Sequence, residues 1–178
     1  FPDKHMSRSA HFSGGRVITE ENISDQYSIS LWFRNGLRNN ARPVTGYFFS
    51  RGDPDKQDAS GDHVGIGGTA GHAGKLIIFN GNQLNDLLIG KQDLLKDNWY
   101  HLVFVRNQKQ VKAYLNGKLE IEGQLEPTFA VSKNYFIGGR SDQFANFEGR
   151  IDEVALFDKI LSAIEVGALY ETAGINSK

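Results

Sequence analysis

NWYHLVFVRNQKQVKAYLNGKLE, residues 98–120, carries two strand patterns joined by a short polar link. Residues 99–106 are apolar on both faces and rich in aromatic and β-branched side chains, which is typical of a central strand covered on both sides. Residues 111–115 form the next strand pattern, and Asn116-Gly117 is a dipeptide that favours a type I′ turn. The chain then returns through residues 118–121. The segment therefore predicts a meander of three antiparallel strands.

Short apolar runs continue the strand pattern on both sides of this meander. Residues 27–33 alternate, with Ile29 and Leu31 on one face and Ser30 and Trp32 on the other, which predicts a half-buried strand. Clusters of Gly, Asn, Asp and Ser separate the remaining runs. Further strands are predicted at residues 47–50, 75–80, 134–137 and 149–157.

Residues 162–171 carry a helix pattern late in the chain. Ser162 and Glu165 have the spacing of a capping box, and Gly174 is a residue type that ends helices. An apolar stripe is predicted through Ile164, Ala168 and Leu169. Many short strands followed by one short helix predict an all-β fold, a two-sheet antiparallel sandwich or jelly roll with one C-terminal helix.

Composition and charge narrow the classes of function. The chain has 178 residues and a formal net charge of -1, so it lacks the basic footprint of nucleic-acid or anionic-membrane binding. It contains no cysteine, which excludes disulfides, thiolate zinc sites and cysteine nucleophiles. The sequence contains no run of about 18 apolar residues, so it predicts no helix that spans a membrane.

The length fits a single domain over residues 1–178, with its core at about residues 9–170. The chain begins at Phe1, and no signal-like apolar segment follows. We therefore expect a piece of a larger exported protein that is extracellular or attached to the cell envelope.

Five segments occur in an order that resembles a known family. They are SAHFSGGRVI (9–18), YSISLWFR (27–34), the meander at 98–120, YFIGGR (135–140) and GRIDEVALFDKILSAIEVGALY (149–170). Together they resemble the laminin G-like jelly-roll domains of the concanavalin A-like lectin/glucanase superfamily. The resemblance implies a curved two-sheet sandwich, in a family that includes lectin-like, adhesion and pentraxin-like modules, glycanases and polysaccharide lyases.

The resemblance also implies a structural calcium ion, held by carboxylates and main-chain oxygens near the junction of the first and last strands. Asp152 is the position here that matches a family acidic residue. The chain departs from the family at Phe12-Ser13-Gly14, where relatives often have Phe-Asp-Gly. Calcium takes about six to eight oxygen ligands, so the loss of a carboxylate matters. The alternative is that Asp152 bonds turn amides or pairs with Arg150.

SRGDPDKQDASGDHVGIGG, residues 50–68, contains fragments of several motifs whose spacing fails. An EF-hand is excluded because Gln57 and Val64 fall at positions that need acidic ligands. A dinucleotide-binding fingerprint is excluded because a strand pattern, rather than a helix, follows the glycines. The Arg-Gly-Asp tripeptide at residues 51–53 would be an adhesion motif only at an exposed tip. The alternative is a polar surface loop between two strands.

Two segments combine the side chains that sugar recognition requires. Aromatic rings pack on the C–H surface of a sugar, and Arg, Asp, Asn and His bind its hydroxyls. The candidate ligand-binding residues are Arg51, Asp62, His63, Arg140, Asp142 and Phe144. For Arg140 the alternative is a surface ion pair with Asp142, and for Phe144 and Phe147 it is a cap over the core.

These observations predict a non-catalytic carbohydrate-binding or accessory module of a larger secreted protein, with a polysaccharide or glycan as its partner. The alternatives are a module that binds another protein and, third, a polysaccharide-degrading enzyme. The closest approach to a glycanase carboxylate cluster is Glu120, Glu122 and Glu126, whose spacing departs from the family pattern. His101 lies within the two-faced apolar strand, which indicates an interior histidine.

Overall fold

The computed structural model describes residues 8–54, 60–81, 87–127 and 133–173. The strands are β1 (Ala10–Ser13), β2 (Val17–Glu20), β3 (Gln26–Asn35), β4 (Val44–Gly52), β5 (Gly61–Gly68), β6 (Gly71–Asn80), β7 (Leu88–Asp93), β8 (Trp99–Asn107), β9 (Gln110–Leu115), β10 (Lys118–Gln124), β11 (Asn134–Ile137) and β12 (Glu148–Phe157). The helix α1 (Ala163–Thr172) follows β12.

The strands form two antiparallel sheets of six strands each. The first sheet has the order β1-β12-β3-β8-β9-β10, and the second has the order β2-β11-β4-β5-β6-β7. The strands nearest the two ends of the chain pair with each other, β1 with β12 and β2 with β11. The prediction of an all-β, two-sheet jelly-roll sandwich with one short C-terminal helix is therefore confirmed.

The core lies between the two sheets and is rich in aromatic rings. Phe33 of the first sheet stacks on Phe48 of the second, with 4.4 Å between ring centroids. Other members of this core are Tyr27, Ile29, Leu31, Phe49, Val64, Ile66, Ile78, Leu102, Phe104 and Tyr135. Burying these apolar surfaces contributes about 25 cal/mol for each Å² removed from water, which makes this layer the main source of stability.

The meander predicted from residues 98–120 is present as β8, β9 and β10. β8 lies between β3 and β9 and is buried along most of its length, as its two-faced apolar pattern predicted. Asn116 and Gly117 have φ angles of 50° and 77°, which a type I′ turn requires at both central positions. The Asn116 side chain also accepts a hydrogen bond of 2.9 Å from the His101 amide, which ties the turn to β8.

β3 is buried on both faces, so the prediction of a half-buried strand is wrong. The second face is covered by the chain around α1. Trp32 stacks on Tyr170 of the helix with 5.8 Å between ring centroids, and the Ser28 hydroxyl donates to the Lys159 carbonyl at 2.8 Å. A separate apolar cluster fills this layer: Val103, Val105, Tyr114, Leu161 and Val166.

α1 begins as predicted, with both hydrogen bonds of the Ser162–Glu165 capping box formed. The predicted apolar stripe is wrong, because Ile164 is 86% exposed. Helical spacing instead turns Val166 toward the first sheet, and Leu169 packs beside it. Gly174, the predicted stop, lies outside the described residues. In the described part of the chain, no helix is long and apolar enough to cross a membrane.

Candidate functional site

A groove lies on the outer face of the second sheet, the face turned away from the core. Strand alternation places Val64 and Ile78 in the core and turns His63 and Phe79 outward as a cross-strand pair. The groove has a volume of about 250 Å³. The residues around it that carry the argument are Tyr47, His72, Ile77, Phe79, Arg140 and Phe144.

Beside the groove, Gly65 and Gly67 of β5 let the neighbouring strands approach closely, and Gly67 is part of the groove lining. A Cβ atom at Gly67 would lie 2.3 Å from the His72 carbonyl oxygen, far inside a normal contact. A Cβ atom at Gly65 would lie 2.4 Å from the Gly46 carbonyl oxygen. Only glycine allows the backbone to approach this closely, so β5 carries no side chain at these two positions beside Tyr47.

Residues 138–147, here called the Arg140 loop, cross the outer face of the second sheet. The Arg140 guanidinium lies between two rings, 5.1 Å from the Tyr47 centroid and 5.3 Å from the Phe144 centroid. It also donates to both carboxylate oxygens of Asp142, at 3.0 Å and 2.7 Å. Arg140 is only 4% exposed. The expected ion pair is therefore present as a two-point pair between a buried arginine and an aspartate whose side chain is 23% exposed.

Phe144 lies at the tip of the Arg140 loop and is 49% exposed. Its amide donates to Asp142 Oδ1 at 3.1 Å. Its neighbours Gln143 and Ala145 both have left-handed backbone conformations, with φ of 64° and 48°. Such conformations cost roughly 1 to 3 kcal/mol each and persist where the surroundings enforce them, often at ligand sites. Here they hold an aromatic side chain out over the groove.

The base of the Arg140 loop is fixed to the rest of the sandwich. The Tyr47 amide donates to the Ala145 carbonyl at 2.9 Å, and the Asn146 side chain donates to the Gly14 carbonyl at 2.8 Å. Phe147 is fully buried and packs edge-on against Phe48 in the core. Of the two phenylalanines for which a cap over the core was expected, Phe147 has that role and Phe144 does not.

His63 packs beneath the Tyr47 ring and helps to hold it in place beside the groove. It is fully buried, its Nδ1 lies 2.7 Å from the Ser50 hydroxyl, and its ring packs edge-on against Tyr47. Burial raises the pKa of Tyr47, although the nearby Arg140 opposes this shift. Partial burial raises the pKa of Asp142, but hydrogen bonds from Arg140 and the Phe144 amide outweigh it. The net effect lowers the pKa of Asp142, which stays ionised at neutral pH.

Arg51 and Asp62 lie on the opposite, inner side of the second sheet. Arg106 and the Tyr27 hydroxyl both hydrogen-bond to the Asp62 carboxylate, the latter at 2.7 Å. Arg51 lies 4.9 Å from the ring centroids of both Tyr27 and Tyr135 and donates to two main-chain carbonyls. Arg51 is also the arginine of the Arg-Gly-Asp tripeptide, and it is buried in β4 rather than exposed at a tip.

The structure thus brings together His63, Arg140, Asp142 and Phe144 but places Arg51 and Asp62 elsewhere. Neighbouring strand residues such as Asp62 and His63 point to opposite faces, which separates the two groups. Sequence reasoning missed Tyr47, Ile77 and Phe79 as part of the groove. Period-two alternation in residues 75–80 would have put Ile77 and Phe79 on one face.

Asp152, the expected calcium ligand, lies in β12 opposite Trp32 of β3. One of its carboxylate oxygens accepts a hydrogen bond of 2.9 Å from the Glu153 amide of the same strand. Across the described residues, no group of three His, Cys, Asp or Glu side chains is placed to hold a metal ion. A calcium ion at Asp152 would therefore depend on main-chain oxygens, and it stays a prediction.

The three glutamates of the carboxylate cluster each have a separate partner. Glu120 accepts hydrogen bonds from the Lys91 and Gln92 amides and so joins β10 to β7. Glu122 pairs with Lys112 at 2.9 Å, and Glu126 pairs with Lys109 at 2.7 Å. In each case the carboxylate has a structural interaction of its own.

Comparison with solved structures finds the same fold, and two of the three structures described below contain a bound oligosaccharide. Domain 4 of an extracellular arabinanase from Geobacillus stearothermophilus, in complex with arabinotriose, superposes with a TM-score of 0.68 at 22% identity, covering 94% of this chain and 79% of that one. The CBM40 of a Ruminococcus gnavus sialidase, bound to α2,3 sialyllactose, gives 0.71 at 17% identity, covering 92% and 97%. The receptor-binding domain of botulinum neurotoxin D gives 0.66 at 18% identity, covering 93% and 43%.

At these identities the likeness is one of fold. No curated protein sequence matches the chain. The laminin G-like family model of the concanavalin A-like lectin/glucanases superfamily matches residues 12–167, which is most of the chain. The chain therefore belongs to the laminin G-like family of the concanavalin A-like lectin/glucanase superfamily.

Proposed function

We propose that this domain is a non-catalytic carbohydrate-binding module that holds a glycan in the groove under the Arg140 loop. The observation that carries the proposal is the half-exposed Phe144 ring, held over an aromatic groove by the partly buried Arg140–Asp142 ion pair. Sugars bind proteins through C–H surfaces packed on aromatic rings, together with hydrogen bonds to their hydroxyls. Phe144 and Phe79 would supply the aromatic rings that pack on the sugar. His72 and the main chain would supply the hydrogen bonds to its hydroxyls.

The other predicted site residues support the groove in this proposal. Arg140 and Asp142 fix the loop that carries Phe144, while His63 fixes the Tyr47 ring beside it. Arg51 and Asp62 stabilise the same strands from the inner side. Binding sites need this kind of support, because a loosely held side chain loses entropy when it binds.

The comparisons support a glycan ligand and an extracellular setting. Two of the similar structures contain bound oligosaccharides, arabinotriose and sialyllactose, and the first of these proteins is described as extracellular. We infer from this that the present domain is an accessory module of a secreted protein. Its role would be to hold a partner domain close to a polysaccharide.

Replacement of Phe144 tests the proposal. Oligosaccharide panels would be titrated by calorimetry against the wild-type domain and the Phe144→Ala variant. We expect affinity to fall about tenfold, the equivalent of ~1.4 kcal/mol, because the sugar loses an aromatic face. The thermal midpoint should stay unchanged, since Phe144 is largely outside the core.

Leu119→Ala is the matched control, because Leu119 is also 49% exposed but lies on β10 of the first sheet. This variant should bind the glycan as the wild type does. Equal affinities for the wild type and Phe144→Ala would contradict the assignment of the site.

A further inference from the structure

The charges around the groove are balanced before any ligand binds. Among the described residues that line it, Arg140 is the only Lys, Arg, Asp or Glu. Both oxygens of the Asp142 carboxylate already accept hydrogen bonds from the Arg140 guanidinium. Arg140 and Asp142 together therefore present no net charge to a ligand.

We propose, on the basis of the glycan site assigned above, that the groove selects neutral sugars and discriminates against sugars that carry a carboxylate. An acidic sugar is usually recognised by an arginine whose guanidinium N–H groups can make a bidentate contact with the carboxylate. The guanidinium of Arg140 instead donates to both carboxylate oxygens of Asp142. The Tyr47 and Phe144 rings pack against the same guanidinium.

A carboxylated sugar would have to compete with Asp142 for Arg140. Displacing Asp142 would leave a partly buried carboxylate without its cation and would free the Phe144 amide that it holds. Loss of a charge partner in a buried pair is strongly unfavourable. If Asp142 stayed in place, the neutral Arg140–Asp142 pair would give the incoming carboxylate no net attraction to offset the loss of its hydration.

A neutral sugar avoids both costs and matches the remaining walls of the groove. Ile77, Phe79 and Phe144 offer apolar and aromatic surface, and His72 stands exposed at the rim as a partner for hydroxyls. The volume of about 250 Å³ lies just below the roughly 300 to 1,000 Å³ of sites for drug-sized molecules. The groove therefore suits a terminal sugar unit, with the rest of the oligosaccharide outside.

The test compares oligosaccharides that carry a free carboxylate with their neutral methyl esters. α2,3-Sialyllactose would be titrated beside its methyl ester, and oligogalacturonates beside their methyl-esterified forms, with lactose and arabinan oligomers as further neutral compounds. Each titration would be made at about 0.05 M and about 0.5 M NaCl, which changes charge screening strongly. We expect at least one neutral compound to bind, its acidic counterpart to bind more than tenfold more weakly, and the affinity of the neutral compound to be insensitive to salt.

The Asp142→Asn variant sharpens this test. The amide oxygen of Asn keeps an acceptor for the Phe144 amide, but Arg140 loses its counter-charge. We expect the preference for the neutral compound to fall or to reverse in this variant and the affinity for the acidic compound to become salt-dependent. Glu122→Gln makes the same change of charge on the first sheet, at β10, and should leave the preference unchanged.

Each result separates this inference from the proposed function. If the acidic compounds bind more tightly than the neutral ones, or if Asp142→Asn has the same preference as the wild type, neutral selectivity is wrong while glycan binding stands. If no compound of either kind binds, the proposed function fails and this inference fails with it.

Discussion

Asp62 is a fully buried carboxylate with several side-chain partners. It pairs with Arg106, and neither side chain is exposed to solvent. The Tyr27 hydroxyl and the Asn80 amide bond to it as well. Burial opposes the charge of Arg106, but Asp62 outweighs this and raises the pKa of the guanidinium. The cluster joins β5 of one sheet to β3 and β8 of the other.

Removing Asp62 should therefore be costly. We expect Asp62→Ala to lower the free energy of unfolding by about 3 to 5 kcal/mol, because it leaves the Arg106 charge buried and unpaired. Urea unfolding followed by tryptophan fluorescence measures this change. The control is Glu122→Ala, which breaks the exposed pair with Lys112 and should cost less than about 1 kcal/mol. Equal losses in the two variants would contradict the role given to Asp62.

Asp62 also shows which information the sequence pattern does not contain, namely which residue lies opposite it in the folded protein. The polar segment at residues 50–68 offers Asp62 and His63 as neighbours, and their residue types suit a ligand site. Whether an aspartate faces solvent or an internal cation depends on Arg106, which lies 44 positions further along the chain. Sequence reasoning assigned Asp62 to a ligand site because it had no information on that partner.

At the scale of elements, α1 determines the environment of the outer face of the first sheet. The His101 ring of β8 packs against both Trp32 and Tyr170, at 5.0 Å and 5.9 Å between ring centroids. Its Nε2 lies 2.8 Å from the Ser30 hydroxyl. Within the described chain, its Nδ1 has no hydrogen-bond partner. Burial lowers the pKa of His101 to about 4.

This shift predicts a loss of stability in acid. A histidine whose pKa falls from 6.5 to about 4 on folding keeps its full contribution above pH 6.5 and loses it as the pH falls toward 4. By about pH 5, the wild type should lose about 2 kcal/mol more than His101→Gln, which cannot take up the proton. Urea unfolding of both proteins at about pH 7 and about pH 5 measures this difference.

His11→Gln is the control for this comparison, because His11 is exposed on β1. It should follow the pH dependence of the wild type. If the wild type and His101→Gln lost the same stability between the two pH values, the buried, neutral state of His101 would be wrong.

Most of the strands and the start of the helix were predictable because their signals are local, whereas β1, β2, β5 and β7 were not predicted. Alternation, the Asn116-Gly117 turn and the Ser162 capping box all act within a few residues. The burial of both faces of β3 was not predictable, since it depends on where a helix more than a hundred residues later packs. For the same reason, the groove could not be assembled from the patterns of β4 and β6 taken singly.

At the scale of the whole molecule, the two outer faces of the sandwich differ. α1 covers part of the first sheet through Val166 and Tyr170, and Leu161 just before the helix adds to this cover. On the second sheet, the Arg140 loop stands over an aromatic groove rather than filling it. This asymmetry is the reason that we place the ligand on the second sheet.

The expected calcium ion concerns the whole molecule, because it would join the first and last strands of the fold. If it binds at Asp152, a chelator should lower the thermal midpoint by about 5 to 10 °C, which corresponds to the roughly 2 to 3 kcal/mol gained at about 100-fold saturation. Asp152→Ala should remove the effect of the chelator, and Asp158→Ala, an exposed change nearby, should not. A midpoint that the chelator leaves unchanged, with no metal in the purified protein, would overturn the calcium prediction.

The most direct test of the glycan site is to map the bound sugar on the folded domain. Amide chemical shifts would be followed by NMR while a neutral oligosaccharide is added to the ¹⁵N-labelled protein. We predict that the largest shifts occur at Tyr47, Gly67, His72 and Phe144, around the groove of the second sheet. Shifts concentrated on α1 and on the outer face of the first sheet would contradict the account.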